Sequence, residues 1–177
     1  MTIKKNQKKL TLISFKVELI EGAHKLNELI FATSDWFELD NISSVYKKYL
    51  TVKENDLNSE LWVVAKMKTH LDFEEAQIKL FEVQSNFLNG KINSSKTSKY
   101  EIQLLTHGES VYMSPLITLP HPNLHEDKMI LKCAAEAWGN FEHPILSQTL
   151  NNLSQKINFL SNVEFHSQAT LLKRLNK

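Results

Sequence analysis

The chain has 177 residues, of which 42% are hydrophobic, and this size suits one domain with a substantial core. Its formal net charge of +1 gives no overall basic field for nucleic acid and no acidic excess for a cationic partner. The lone Cys133 excludes an internal disulfide framework. The lack of a signal-peptide pattern or of an apolar run of about 18 residues predicts a cytoplasmic protein with no membrane span.

Hydrophobic periodicity and turn residues predict an alternation of strands and helices. In chain order the predicted elements are a charged tail at 1–8, a strand at 10–19, a helix at roughly 21–33, a strand holding Val45, Tyr46 and Tyr49, a polar loop at 51–60, a strand at 61–70, a helix at 71–88, a polar loop at 89–99, a strand from Tyr100, and helices at 126–140 and 143–160. The last stretch, from Asn162, is expected to add a short helix.

Four residues predict where these helices begin and end. Asp72 and Glu75 have the spacing of a capping box at the start of the helix at 71–88. Gly139 is expected to end the helix at 126–140, and Pro144 to occupy the first turn of the next one.

The order β-α-β-β-α-β, followed by helices, is that of the ferredoxin-like split βαβ plan. We therefore predict an α+β fold with a largely antiparallel sheet, helices on one face and extra C-terminal helices. One domain is expected over 9–155, with a helical extension over 156–177. The order alone says nothing about function.

Arginine is almost absent from the sequence. Of 21 lysines and arginines only Arg174 is arginine. Planar, bidentate binding of phosphate by arginine is therefore not available in the body of the chain, and a phosphate site there must use lysine, backbone amides or a metal ion.

Three stretches together resemble one enzyme family. Tyr100 to Leu146 reads YEIQLLTHGESVYMSPLITLPHPNLHEDKMILKCAAEAWGNFEHPIL, residues 43–50 read SSVYKKYL, and residues 61–84 read LWVVAKMKTHLDFEEAQIKLFEVQ. They are similar to 6-hydroxymethyl-7,8-dihydropterin pyrophosphokinase (HPPK) of the folate pathway. That family has an Asp-x-Asp strand, a Gly turn and Leu-x-Leu-Pro-His-Pro before a helix. The similarity spans roughly 9–150 and implies the same ferredoxin-like fold.

The resemblance also implies a reaction, the transfer of a pyrophosphoryl group from ATP to the hydroxymethyl oxygen of the pterin. In the family an acidic pair holds two Mg²⁺ ions, and basic residues neutralise the developing charge. Carried onto this sequence, the metal positions are Glu101 and Gln103, the catalytic positions are Lys96, Lys99 and Lys128, the nucleotide-binding positions are His121 and Lys91, and the pterin-pocket positions are Trp62, Met129 and Tyr46.

Several of these positions depart from the family pattern. Gln103 is neutral where the family has its second aspartate, and Asp127 stands where an arginine opens the helix. Met129 replaces a stacking aromatic residue and Trp62 replaces an asparagine, while Ser14-Phe15-Lys16 stands in place of Gly-Ser-Asn. Losing one carboxylate weakens a two-metal clamp. The pattern indicates a retained fold with eroded chemistry.

Three functional hypotheses follow. The chain is a pseudoenzyme or impaired member of the family that keeps the fold for binding, or an active enzyme that uses Glu101 as its main Mg²⁺ ligand and lysines in place of arginines. The third is a protein-interaction module that works through the C-terminal helices and an apolar groove.

Individual residues have a structural alternative as well. Glu101 and Gln103 form a one-carboxylate metal site or simply face a solvated cleft, and the loop lysines form a phosphate cluster or are solvated. His121 contacts a nucleotide or only shapes a turn. Trp62 and Met129 fill the old pocket as core or line a new apolar site. His121 with His125, Glu126 and Asp127 also admits a transition-metal site, although Pro122 disfavours helical spacing there.

Overall fold

The structure is a computed structural model that describes residues 8–50, 59–88, 99–114, 117–158 and 161–169. Its strands are β1 Lys9–Glu18, β2 Glu38–Ile42, β3 Val45–Tyr49, β4 Ser59–Thr69, β5 Tyr100–His107, β6 Tyr112–Met113, β7 Thr118–Leu119 and β8 Val163–Ser167. Its helices are α1 Gly22–Phe31, α2 Phe73–Leu88, α3 Asn123–Glu126, α4 Lys128–Trp138 and α5 Leu150–Ser154, and a short 3₁₀ turn, Leu19–Glu21, precedes α1.

Six strands form one antiparallel sheet in the order β5-β1-β4-β3-β8, with β2 beside β3 on the same edge of β4. The β6 and β7 strands form a separate two-stranded hairpin. The predicted α+β class with an antiparallel sheet is confirmed.

Helices cover both faces of the sheet. Alternate residues of a strand point to opposite faces, so Phe15 and Val63 pack with α1 and α2, whereas Leu12 and Val64 pack with α3, α4 and α5. The two helices of the predicted βαβ plan therefore lie on one face as expected, and the extra C-terminal helices cover the other face. The sheet buries both of its faces, which explains why β1 and β4 are buried almost throughout rather than at alternate residues. None of the described helices has the length and apolar composition needed to cross a membrane.

The capping box at α2 is confirmed. The Glu75 amide donates to Asp72 Oδ1 at 2.9 Å, and the Asp72 amide donates to Glu75 Oε2 at 3.1 Å. Gly139 ends α4 as predicted, but with a right-handed φ of −59°. A Cβ there would lie 2.3 Å from Asn151 Oδ1, so a larger residue would require the Asn151 side chain to move.

Two predictions in the C-terminal part are wrong. Residues 144–147 form no helix, because the His143 ring accepts from the Ile145 and Leu146 amides, each at 3.3 Å, and Ser147 has a φ of +51°. The helix that does form, α5, begins after Thr149, whose hydroxyl accepts from the Asn152 amide.

The second error concerns the last stretch. Instead of the predicted short helix, Val163–Ser167 forms β8, which pairs with β3 at the edge of the sheet. The charged tail at 1–7 and residues 170–177 of the predicted extension lie outside the described residues.

Candidate functional site

The predicted metal position lies on the face of the sheet that α4 covers. Because β1 lies between β4 and β5, Lys16 is opposite Trp62 on one side and Glu101 on the other. Residues directly opposite each other in an antiparallel pair point to the same face. The three side chains therefore meet, together with Glu60, and we call these four residues the lysine cluster.

Lys16 is the centre of the lysine cluster. Its Nζ lies 2.8 Å from Glu101 Oε2 and 3.3 Å from Glu60 Oε1, and its side chain is only 8% exposed. The Trp62 indole N–H donates to Glu60 Oε2 at 3.0 Å, and its ring centroid is 5.6 Å from the ammonium. Burial alone lowers the pKa of Lys16, but hydrogen bonding and charge from Glu101, and then Glu60, raise it above its ordinary value. Lys16 is therefore a buried cation held by two carboxylates.

A chain of hydrogen bonds extends from the lysine cluster to α3. The Gln103 amide donates to Glu101 Oε1, and the Asn123 amide donates to Gln103 Oε1 at 3.1 Å. Glu101 is thus bonded through both of its oxygens and Gln103 through both ends of its amide. The two side chains are held in place without an added ion.

This set of donors does not fit a pair of Mg²⁺ ions. Magnesium needs octahedral oxygen coordination at about 2.0–2.1 Å. Glu101 supplies one carboxylate, and the Lys16 ammonium already lies against it. A metal ion there would meet an ammonium at close range, and like charges in a buried site repel strongly. Among the described residues, moreover, no group of three or more His, Cys, Asp or Glu side chains is arranged to hold a metal.

His121 lies in the turn before α3, next to Asn123 at the end of this chain of hydrogen bonds. Its backbone amide donates to the Leu105 carbonyl at 2.8 Å, which attaches the turn to β5, and its Nδ1 accepts from the Asn123 amide at 3.1 Å. The proton of the neutral ring therefore sits on Nε2. Burial lowers the pKa of His121, although the charges of Glu101 and Glu126 oppose that shift. His121 thus has a defined structural role in the turn that leads into α3.

Asp127, which stands where the resemblance implies an arginine, has a structural role. It is the N-cap of α4, and its Oδ1 accepts from the amides of Met129 at 2.8 Å and Ile130 at 3.2 Å. Its other oxygen lies 3.6 Å from the Lys48 ammonium. The neighbouring Lys128, a predicted catalytic residue, is the first residue of α4 and has an exposed side chain.

The predicted pterin-pocket residues are part of the core. Trp62 and Met129 are 7% and 2% exposed, and both belong to the hydrophobic cluster beneath α4. Tyr46 belongs to the same cluster, and its hydroxyl donates to Glu136 Oε1. The burial of Trp62 and Met129 favours the alternative in which these two side chains serve as core.

The predicted loop lysines are divided between described and undescribed residues. Lys91 and Lys96 lie outside the described residues. The Lys99 ammonium lies 3.3 Å from Glu21 Oε1 and 4.0 Å from Glu18 Oε2, so its charge is already paired.

Sequence reasoning named Glu101 and Gln103 but missed the roles of Lys16 and Glu60. The signal was present, because Lys16 interrupts the apolar strand TLISFKVEL. A lysine inside a strand that is buried on both faces requires a carboxylate partner.

The comparisons with known proteins agree with the fold. No family model and no curated protein sequence matches the chain. Several solved structures do match. Wild-type HPPK-DHPS of Plasmodium falciparum with pterin and p-hydroxybenzoate superposes with a TM-score of 0.70 at 9% identity, over 92% of this chain and 47% of that chain. A triple mutant of the same protein with pteroate gives 0.69 at 11% identity, over 92% and 47%.

A further variant of that protein, with SDX-DHP, gives a TM-score of 0.70 at 10% identity, over 92% of this chain and 50% of the other. The chain therefore spans about half the length of the structures that it matches. At this identity the likeness establishes an HPPK-like fold, and function has to be argued from the site.

Proposed function

We propose that this chain is a divergent HPPK-fold protein that does not carry out Mg²⁺-dependent pyrophosphoryl transfer. The observation that carries the proposal is the Lys16 ammonium, 2.8 Å from Glu101, beside the position where the resemblance implies a metal ion. An internal ammonium supplies the positive charge that neutralises the carboxylates, but it cannot coordinate the oxygens of a triphosphate as a metal ion does.

Two further observations support the same proposal. Asp127 adds negative charge where the family places a positive one, and it is engaged as an N-cap. Trp62 and Met129 fill the space that the resemblance assigns to the pterin. Charge, coordination and shape therefore all disfavour the reaction.

The test is a transfer assay combined with calorimetry. Wild-type protein is expected to give no pyrophosphorylated pterin from ATP, 6-hydroxymethyl-7,8-dihydropterin and Mg²⁺, and no Mg²⁺-dependent heat with a non-hydrolysable ATP analogue. A double variant, Lys16→Asn with Gln103→Asp, removes the ammonium and adds a carboxylate. We expect this variant to bind Mn²⁺ measurably by calorimetry, because a third carboxylate then joins Glu60 and Glu101 and no ammonium remains between them.

The alternative, an active enzyme that uses Glu101 and lysines, makes the opposite prediction. Product formation by the wild-type protein would overturn our proposal. A loss of that activity in Glu101→Gln would assign Glu101 as the metal ligand. Lys79→Gln serves as the matched control, because Lys79 lies in α2 and outside the lysine cluster.

A further inference from the structure

A second region on the same face of the sheet is open rather than filled. A groove of about 560 Å³ lies between α4, α5 and the edge strands β3 and β8. Its lining includes the charged residues Lys132 and Glu136 and the apolar or aromatic residues Tyr46, Ile157, Val163 and Phe165. We call this the edge groove. Its volume falls within the range of about 300–1,000 Å³ that is typical of small-molecule sites.

The edge groove offers one aromatic surface to solvent. Phe165 projects from β8 with 57% of its surface exposed, although the Tyr46 ring lies only 6.3 Å away, edge-on at 83°. Nothing else that is aromatic contacts Phe165 among the described residues. An exposed phenyl ring beside a cavity provides a flat apolar surface on which a planar ring can stack.

One charged group in the edge groove, the Lys132 ammonium, is available to pair with an anion. Glu136 is engaged through both oxygens, since Oε1 accepts from the Tyr46 hydroxyl and Oε2 accepts from the Ser44 amide at 2.9 Å. Burial, and then the hydrogen bond to Glu136, raise the pKa of Tyr46, so this phenol stays protonated and Glu136 stays bonded. Lys132 lies 5.0 Å from the centroid of the Tyr46 ring and forms no salt bridge with a described residue. The ammonium of Lys132 is therefore the charged group that is left for a ligand.

We propose that the edge groove binds a small planar aromatic molecule that carries one anionic group, with the ring stacked on Phe165 and the anion paired with Lys132. Asn151 and Asn158 line the groove as well and provide amide donors and acceptors for polar atoms on the edge of the ring. The site shares no residue with the lysine cluster, so it goes beyond the proposed function and does not depend on it.

Two probes represent the two kinds of molecule that combine a planar aromatic ring with an anionic group. Naphthoate presents an aromatic carboxylate, and adenosine monophosphate presents a phosphate on a heteroaromatic base. Each is titrated into the ¹⁵N-labelled full chain while amide chemical shifts are followed. We expect at least one of them to shift the signals of Phe165, Ser154 and Tyr46 with a Kd of about 1 mM or lower. The probe that binds with the lower Kd shows whether the groove prefers an aromatic carboxylate or a nucleotide phosphate.

Two variants with matched controls test the assignment. Phe165→Ala is expected to weaken binding about tenfold, because the ring of the ligand then loses its stacking partner. Its control is Phe81→Ala, which removes another exposed phenyl ring, 68% exposed, from α2 on the opposite face. Lys132→Gln is expected to weaken binding of the anionic probes about threefold to tenfold, while binding of neutral naphthylmethanol stays unchanged. Its control is Lys25→Gln on α1.

Several outcomes would overturn the proposal. One is that neither probe shifts these signals. Another is that both probes bind but neither Phe165→Ala nor Lys132→Gln weakens them more than its control does. Tighter binding of the neutral naphthylmethanol than of naphthoate would contradict the assignment of Lys132. Since both substitutions are at solvent-accessible positions, the variants are expected to fold, and their amide spectra report this directly.

Discussion

The lysine cluster and the edge groove contain the same three kinds of residue. Each places a lysine ammonium near an aromatic ring. The Lys16 ammonium lies 5.6 Å from the centroid of the Trp62 ring, and the Lys132 ammonium lies 5.0 Å from that of the Tyr46 ring. Each also has a glutamate that accepts a hydrogen bond from that aromatic residue, Glu60 from Trp62 and Glu136 from Tyr46. They differ in how the lysine is paired, because Lys16 forms salt bridges with two carboxylates and Lys132 forms none with a described residue.

That difference decides what each lysine can do. A buried ammonium between two carboxylates is a fixed part of the structure, since removing it leaves buried charge uncompensated. An ammonium that only contacts a ring face remains available to a ligand. Residue type therefore does not distinguish a structural cation from a binding cation, whereas the number of neighbouring carboxylates does.

The largest expected effect is on folding stability. Lys16→Met should lower the free energy of unfolding by about 3–5 kcal/mol, because Glu60 and Glu101 then lose their shared cation. Lys132→Met, in the edge groove, should lower it by less than about 1 kcal/mol. Urea denaturation measures both. Equal losses for the two variants would remove the distinction between the two regions.

A second variant separates charge from packing in the lysine cluster. Adding Glu60→Gln to Lys16→Met removes one of the uncompensated carboxylates and should recover part of the lost stability. If the double variant is no more stable than Lys16→Met, then lost packing of the lysine stem, rather than charge, explains the effect.

The pH dependence of stability tests whether His121 is held neutral in the folded protein. Burial lowers its pKa, and an unfolded histidine titrates near pH 6.5. Below that pH the unfolded chain binds more protons than the folded one, so the contribution of His121 is fully present above about pH 6.5 and is lost as pH falls through the lower folded pKa. The slope is at most about 1.4 kcal/mol per pH unit for each such histidine.

Urea unfolding between pH 5 and 8 measures this slope, and His121→Asn should reduce it. Part of the slope should persist in that variant, because burial also lowers the pKa of His107 and of His143. A proton-NMR titration gives the sharper result. If Mg²⁺ and an ATP analogue raised the pKa of His121, a phosphate would have to lie beside it. That result would contradict our proposal that the chain does not use Mg²⁺ and ATP.

A smaller effect is expected at Asp127, the N-cap of α4. Asp127→Arg, which introduces the residue that the resemblance implies, should destabilise the fold by about 0.5–2 kcal/mol, because the amides of Met129 and Ile130 lose their acceptor. Asp127→Asn keeps an acceptor oxygen and should stay close to wild type. A neutral result for Asp127→Arg in thermal unfolding would show that the cap contributes little.

The smallest effect concerns the hydrogen bond between Tyr46 and Glu136. Tyr46→Phe removes it and should lower stability by about 0.5–1.5 kcal/mol. Glu136 then has a free oxygen near Lys132, so the variant should also bind anionic probes more weakly than wild type. Unchanged probe affinity would mean that Glu136 and Lys132 do not influence each other.

Local features were predictable from the sequence because neighbours in sequence decide them. The Asp72–Glu75 capping box and the positions of β1, α1, β4 and α2 depend on residues within one or two turns or on a continuous apolar run, and the structure agrees. The fold class followed from the order of these elements. The last strand was missed, because β8 forms only through its pairing with β3, a partner from the other end of the chain.

The sequence by itself determined β1, α1, β4 and α2, their order and the resemblance to an HPPK-like fold, and it placed Gln103 where that resemblance implies a metal-binding carboxylate. Tertiary structure alone decided the state of the site. Only the register of β1 between β4 and β5 brings Lys16 to Glu60 and Glu101, and only the return of the chain through α5 and β8 creates the edge groove. Charge pairing depends on distances of a few ångströms between residues far apart in sequence, and strand pairing sets those distances.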